Sequence, residues 1–172
     1  MKFIFDFDDV IFHTLKRRKA YLYPKLEKAG ISLNDLDEYY QKARGSNFSL
    51  KKMLAHFSLP ESFYEEIIRE IEDFKNTELI EIIKKLGKSN CYIVTSGDEE
   101  FQMDKIKIMG IIPLFSEIFV TQGSKKEAVE NICAKYKNET VFFIDDKAQN
   151  FEDLDFKKYP NLKTILYDEQ GL

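Results

Sequence analysis

The chain contains no tryptophan, two cysteines, two histidines and no apolar run approaching the roughly 20 residues of a bilayer-crossing helix. Each scarcity narrows the possibilities. No membrane-spanning helix is expected. Cys91 and Cys133 lack the spacing of a metal site and lie in apolar-periodic surroundings, so buried, reduced thiols in a cytoplasmic protein are expected. His13 and His56 read as incidental, although His13 is near enough to Asp8 in sequence to line a site entrance. Excess positive charge is missing as well. Lys and Arg number 26 against 30 Asp and Glu, a net charge of −4, so nothing favours a nucleic-acid backbone as partner. Met1 to Phe12 is apolar but broken by Asp6, Asp8 and Asp9, which the core of a secretory signal would not carry. Internal repeats and low-complexity tracts are absent too.

What is present suits a soluble α/β protein. The 172 residues are 44% hydrophobic, with 15 Phe and nine Tyr, enough for one compact domain plus a modest insertion. Lys2-Phe3-Ile4-Phe5-Asp6 is a short, nearly continuous apolar run, as expected of a buried parallel strand. Similar runs occur at Cys91–Val94, Glu117–Val120, Val141–Ile144 and Lys163–Tyr167. Between them lie helical patterns: Glu78–Leu86 with Thr77 as N-cap and Gly87 as stop, Glu99–Met109, and Lys125–Tyr136. This alternation predicts a doubly wound parallel, Rossmann-like sheet.

The first strand departs from that rhythm. Residues after it carry no strand signal; Leu15–Ala29, Leu33–Ala43, Leu50–Phe57 and Glu61–Phe74 read as helices, punctuated by Gly30, Gly45-Ser46-Asn47 and Pro60. We therefore expect a core of residues 1–12 and 77–172 with a small helical cap, 13–76, inserted. Its hinges are placed near Phe12-His13-Thr14 and Asn76-Thr77.

Ligands of such sheets bind beyond the carboxyl ends of the strands. Those ends carry Asp6, Asp8 and Asp9; Thr95, Ser96 and Gly97; Thr121 to Ser124 leading to Lys125 and Lys126; and Asp145 with Asp146. Two carboxylates about 4 Å apart repel by roughly 4 kcal/mol at an effective dielectric near 20. A hard divalent cation relieves this, and donors that are all oxygen favour Mg²⁺ over zinc. Mg²⁺ bound by few carboxylates leaves room for a substrate phosphate, so phosphoryl chemistry is indicated.

Four stretches in order carry a family resemblance. Phe3-Ile4-Phe5-Asp6-Phe7-Asp8-Asp9-Val10 resembles the first motif of haloacid dehalogenase-like hydrolases, an apolar strand ending in Asp-x-Asp. Ile93-Val94-Thr95 resembles the second, Lys125 the third-motif lysine, and Phe143-Ile144-Asp145-Asp146 the acidic fourth. The resemblance implies that Asp6 attacks phosphorus to give an aspartyl-phosphate, while Asp8 acts as general acid and then base. It implies that Thr95, Ser96 and Gly97 hold phosphoryl oxygens and that Lys125 neutralises charge. Mg²⁺ would be held by Asp6, the Asp8 backbone carbonyl and Asp146, with Asp145 direct or through water. Lys125 is preferred to Lys126 because Lys-x-x-Ala matches the family helix start through Ala128. Two departures stand out: Asp9 occupies a position that is often Gly, and Asp145 stands where many members have Gly.

Two further features bear on specificity. The run Lys16-Arg17-Arg18-Lys19 is either a solvated helix face or an attractor of anionic substrate. Arg44, in a loop between cap helices, is a substrate-binding candidate. The expected activity is a phosphomonoester hydrolase of a small phosphorylated metabolite, since a cap would close over the site. A phosphomutase would keep the same residues, and a catalytically silent binding protein of this family is the third reading. A phospho-receiver domain is disfavoured because its phosphorylated Asp follows a middle strand. Substrate identity and oligomeric state are left open by the sequence.

Overall fold

Five strands form one all-parallel sheet in the computed structural model, which describes residues 1–43 and 48–168. They are β1 (Lys2–Phe5), β2 (Cys91–Ser96), β3 (Glu117–Thr121), β4 (Val141–Asp145) and β5 (Leu162–Leu166), in the order β3-β2-β1-β4-β5. Every expected strand is there. β1 pairs with β2 on one side, Phe5 opposite Ile93, and with β4 on the other, Phe5 opposite Ile144. The strand order therefore reverses around β1, which opens a crevice beyond its carboxyl end.

Alternation along the strands builds a core on each face. Phe5 and Ile93 pack against Ile80 and Ile83 of α6 (Thr77–Leu86) and Ile106 of α7 (Glu99–Ile108). Ile4, Tyr92, Val94 and Phe143 pack against Val129, Ile132 and Cys133 of α8 (Lys126–Lys135). Each such side chain contributes about 1.5–3 kcal/mol by leaving water. Cys91 and Cys133 are both free and buried. No described helix is long and apolar enough to cross a membrane.

Between β1 and α6 the described residues from Thr14 onward are mostly helical. α1 (Thr14–Arg17) runs through a π turn (Arg18–Leu22) into α2 (Tyr23–Lys28), followed by α3 (Leu33–Lys42), α4 (Leu50–His56) and α5 (Glu61–Arg69). The unbroken helix expected over Leu15–Ala29 is thus interrupted. Pro24, early in α2, has no N–H for the carbonyl four residues back and its ring crowds that carbonyl; the wider turn accommodates both. Glu61–Phe74 likewise tightens into a 3-10 turn at Glu70–Phe74. These helices have a core of their own, including Leu26, Leu36, Leu50, Met53 and Ile67, with Phe101 of α7 packed against it.

The helical segment enters and leaves through paired backbone. Phe12 bridges Lys75, the His13 N–H donates to Phe74 O at 2.8 Å, and the Asn76 N–H donates to Ile11 O at 2.8 Å. Asn76 also corrects an expectation, because it and not Thr77 is the N-cap of α6. Its Oδ1 accepts from the Leu79 N–H at 3.1 Å, while its Nδ2 donates to Val10 O at 2.9 Å and the Tyr167 hydroxyl at 2.6 Å. An amide both accepts and donates, so one side chain caps the helix and ties down the crossing. Thr77 is the first helical residue.

Candidate active site

Asp6 follows directly on β1, 3% exposed, and its backbone N–H is fixed by Ile144 O at 2.8 Å. Lys125 is the N-cap of α8, and its side chain turns back to the sheet. Its ammonium lies 2.7 Å from Asp6 Oδ1 and 2.7 Å from Asp145 Oδ2. Lys126 instead faces Glu130 and the Asp153 carbonyl at the surface. Of the two candidate lysines, the structure brings Lys125 to Asp6.

Asp6, Asp145 and Asp146 each place a carboxylate oxygen within 4.8 Å of the others. Their surroundings differ. Asp145 is saturated: besides Lys125 it accepts from Asn150 Nδ2 at 2.8 and 2.9 Å and from the Lys147 N–H at 2.9 Å. Asp146 Oδ1 is buried with no hydrogen-bond partner. Burial raises the Asp146 carboxyl above its ordinary pKa, although Lys147 opposes this. Burial also raises Asp6, against the pull of Lys125 and with the push of Asp145. Three carboxylates against one buried ammonium leave negative charge uncompensated, which a hard cation on oxygen donors would relieve. The orphaned Asp146 oxygen and the absence of His or Cys from the cluster fit such an ion. Asp146 fits it better than Asp145, whose oxygens already have donors.

Asp8 lies in a different environment. Extended backbone would put Asp6 and Asp8 on the same side, but β1 ends at Phe5 and the chain coils, with Asp9 at φ 57 and the Phe12 N–H bonded to Phe7 O. That left-handed residue explains why Gly suits the position; Asp tolerates it, and here Asp9 Oδ1 accepts from the Leu15 N–H at 2.8 Å. Asp8 Oδ1 accepts from Lys105 Nζ at 2.6 Å and from the Thr14 hydroxyl, and Oδ2 accepts from Gln102 Nε2 at 2.7 Å. Burial pushes the Asp8 pKa up, but Lys105 and the three hydrogen bonds outweigh it and hold the carboxyl at about 2. Lys105 itself is 3% exposed and lies over the rings of Phe7, Phe12 and Phe101.

Thr95 ends buried on β2, its hydroxyl accepting from Gln102 Nε2 at 3.1 Å, and the Ser96 carbonyl accepts from the same amide at 3.0 Å. Gly97 has φ 146, and a Cβ there would meet Gln102 Nε2 at 3.1 Å. Gln102 thus ties Thr95 and Ser96 to Asp8. Gln102, Lys105 and Thr14 escaped the sequence reading. The signal was there in α7: Gln102 and Lys105 are polar residues on the face that also carries Ile106 and Met109, and both are buried. Arg44 lies outside the described residues. His56 packs on Tyr39 and Phe57 among the inserted helices, away from the cluster.

A cavity of about 430 Å³ opens beside these groups. Asp8, Ser96, Gly97, Gln102, Lys105 and Asp146 line it from the sheet side, and Arg17, Arg18, Tyr40 and Phe48 from the helical side. The basic run therefore divides, with Lys16 and Lys19 exposed while Arg17 and Arg18 face the cavity.

A family model for haloacid dehalogenase-like hydrolases matches residues 3–151. The chain belongs to this family. It is a hydrolase by that membership, with the α/β fold the family resemblance implied. A haloacid dehalogenase-like hydrolase from Burkholderia xenovorans LB400 superposes with a TM-score of 0.73 at 15% identity, over 94% of this chain and 79% of that one. A hydrolase from Streptococcus pneumoniae TIGR4 gives 0.58 at 20% identity, over 97% and 92%. The HAD-hydrolase YfnB from Bacillus subtilis, in a form bound to magnesium, gives 0.56 at 21% identity, over 95% and 84%. At these identities the likeness is one of fold. No curated protein matches the sequence.

Proposed function

We propose that this chain is a magnesium-dependent phosphatase of small phosphorylated metabolites, with Asp6 as nucleophile. The observation that carries the reading is the buried Asp6 carboxylate, 2.7 Å from Lys125 and grouped with Asp145 and Asp146. A hydrolase that attacks carbon has little use for three carboxylates around its nucleophile. One that binds phosphate through a cation needs them.

Asp6 and Asp146 would hold the ion, which supplies charge neutralisation for the phosphoryl oxygens. The magnesium-bound relative supports that choice of ion. Lys125 opposes the effect of burial on Asp6, favouring its carboxylate form, and offers positive charge to the transferring group. Asp6 attacks phosphorus, the bond to the ester oxygen breaks, and water then cleaves the aspartyl-phosphate. The Asp8 carboxylate, as Lys105 holds it, is ready to take the proton from that water. Delivering a proton to the leaving oxygen requires Asp8 first to come off Lys105 and take one up. The inserted helices serve as the cap that closes the cavity against bulk water, and the cavity volume suits a metabolite, not a folded protein.

The test is release of inorganic phosphate from p-nitrophenyl phosphate and a panel of metabolite phosphates, with and without Mg²⁺. Release should need Mg²⁺ and fall by about a thousandfold or more in Asp6→Asn. No release from any ester sinks the proposal.

A further inference from the structure

Arg17 is 3% exposed, lines the cavity and has no carboxylate within ion-pairing distance among the described residues. Its Nη2 donates to Ile67 O at 2.6 Å, the rings of Phe12 and Tyr21 lie against it, and its Nε has no partner. A guanidinium carries five N–H donors and stays charged at neutral pH. Burying one without an anion is costly, and proteins accept that cost where an anion arrives from outside. Arg18, the next residue, lines the same cavity with its guanidinium 4.9 Å from the Tyr40 ring.

The position of this pair decides what the anion is. Asp8 lines the cavity from the sheet side and the two arginines line it from the helical side, whereas Asp6, held by Lys125, is not part of that lining. The arginines therefore face Asp8 across the cavity, on the side away from the nucleophile's cluster. Asp8 itself is already paired with Lys105 and does not neutralise Arg17. In the proposed reaction Asp8 serves the leaving oxygen, so what lies beyond it is the leaving group. We propose that Arg17 and Arg18 bind a second anionic group, a carboxylate or further phosphate, carried by the leaving group of the phosphomonoester. The assignment rests on the phosphatase reading of the cavity. A planar fork suits either anion, and Tyr40 and Phe48 wall the space around it.

The experiment compares acid and amide forms of otherwise identical esters: 2-phosphoglycolate with its amide, and 4-carboxyphenyl phosphate with 4-carbamoylphenyl phosphate. In the wild type at least one acid should exceed its amide about tenfold in kcat/KM, the ratio shrinking as salt is raised from about 0.05 M to about 0.5 M. Arg17→Met and, separately, the more exposed Arg18→Met should each pull that ratio towards one. A merely structural role would lower acid and amide alike and leave the ratio where it was, which overturns the proposal. So does equal turnover of acid and amide in both pairs by the wild type, an outcome that leaves the phosphatase reading standing. Calorimetry with 4-(phosphonomethyl)benzoate and its amide needs no turnover. Preference for the acid there, with no ester hydrolysed, would keep this site and refute the phosphatase.

Discussion

Asp8 and Lys105 form a pair in which each charge is kept by the other. Lys105 is almost wholly buried, and burial lowers its pKa while Asp8 holds it up; the net is a lowering, so Lys105 returns part of what Asp8 gains. Lys105→Met leaves Asp8 without its ammonium and should cost about 3 kcal/mol in urea unfolding. The pH dependence has a definite sign. With its folded pKa near 2, below the unfolded value, Asp8 adds stability that is complete above about pH 4 and is lost as pH falls towards 2. Wild type should therefore lose on the order of 2 kcal/mol more than Asp8→Asn across that interval, measured by denaturation at each pH. Equal slopes would show that Lys105 does not stabilise the carboxylate. Gly97→Ala probes the same network from another side. With φ at 146 and Gln102 Nε2 in the way, the added methyl should strain the loop, displace Gln102 from Asp8 and lower turnover about tenfold or more.

Among elements, α6 depends on a residue outside it. Asn76→Ala removes its N-cap and the bonds to Val10 O and the Tyr167 hydroxyl together, and should cost about 2–3 kcal/mol. Asn76→Ser keeps a capping oxygen but not the amide donors and should recover about half of that by the same measurement. The strands and the long helices could be read from periodicity, because burial on both sheet faces writes apolar runs into the sequence. That Asp6, Lys125 and Asp146 meet at one sheet edge could be read for a related reason, each following a recognisable strand in a fixed order. What stayed hidden depends on tertiary neighbours. Nothing local says that Asn76 caps in place of Thr77, that Pro24 opens a π turn, or that Lys105 neutralises a carboxylate far away in the chain. Arg17 and Arg18 sat in a run that reads equally well as a solvated face; only packing separates them from Lys16 and Lys19.

For the whole molecule, the acidic cluster links ion binding to folding. An ion held only by the folded chain at a hundred times its Kd adds about 2.7 kcal/mol, or roughly 5–10 °C in Tm for a chain of this size. Mg²⁺ should raise Tm by that much at neutral pH, a chelator should reverse it, and Asp146→Asn should abolish the response in a thermal melt. A Tm indifferent to Mg²⁺ would remove the cluster as a metal site.

The paired backbone at Phe12–Lys75 has a topological consequence. Seen from the sheet, everything between those two residues is one very long hairpin loop whose ends are already clasped. Closure entropy grows only slowly with loop length, so the sheet registers little of how long the loop is. Length between 12 and 75 is therefore cheap for the sheet to vary, whereas Ile71 and Phe74, which pack into the core with Phe5 and Ile93, anchor the segment's return.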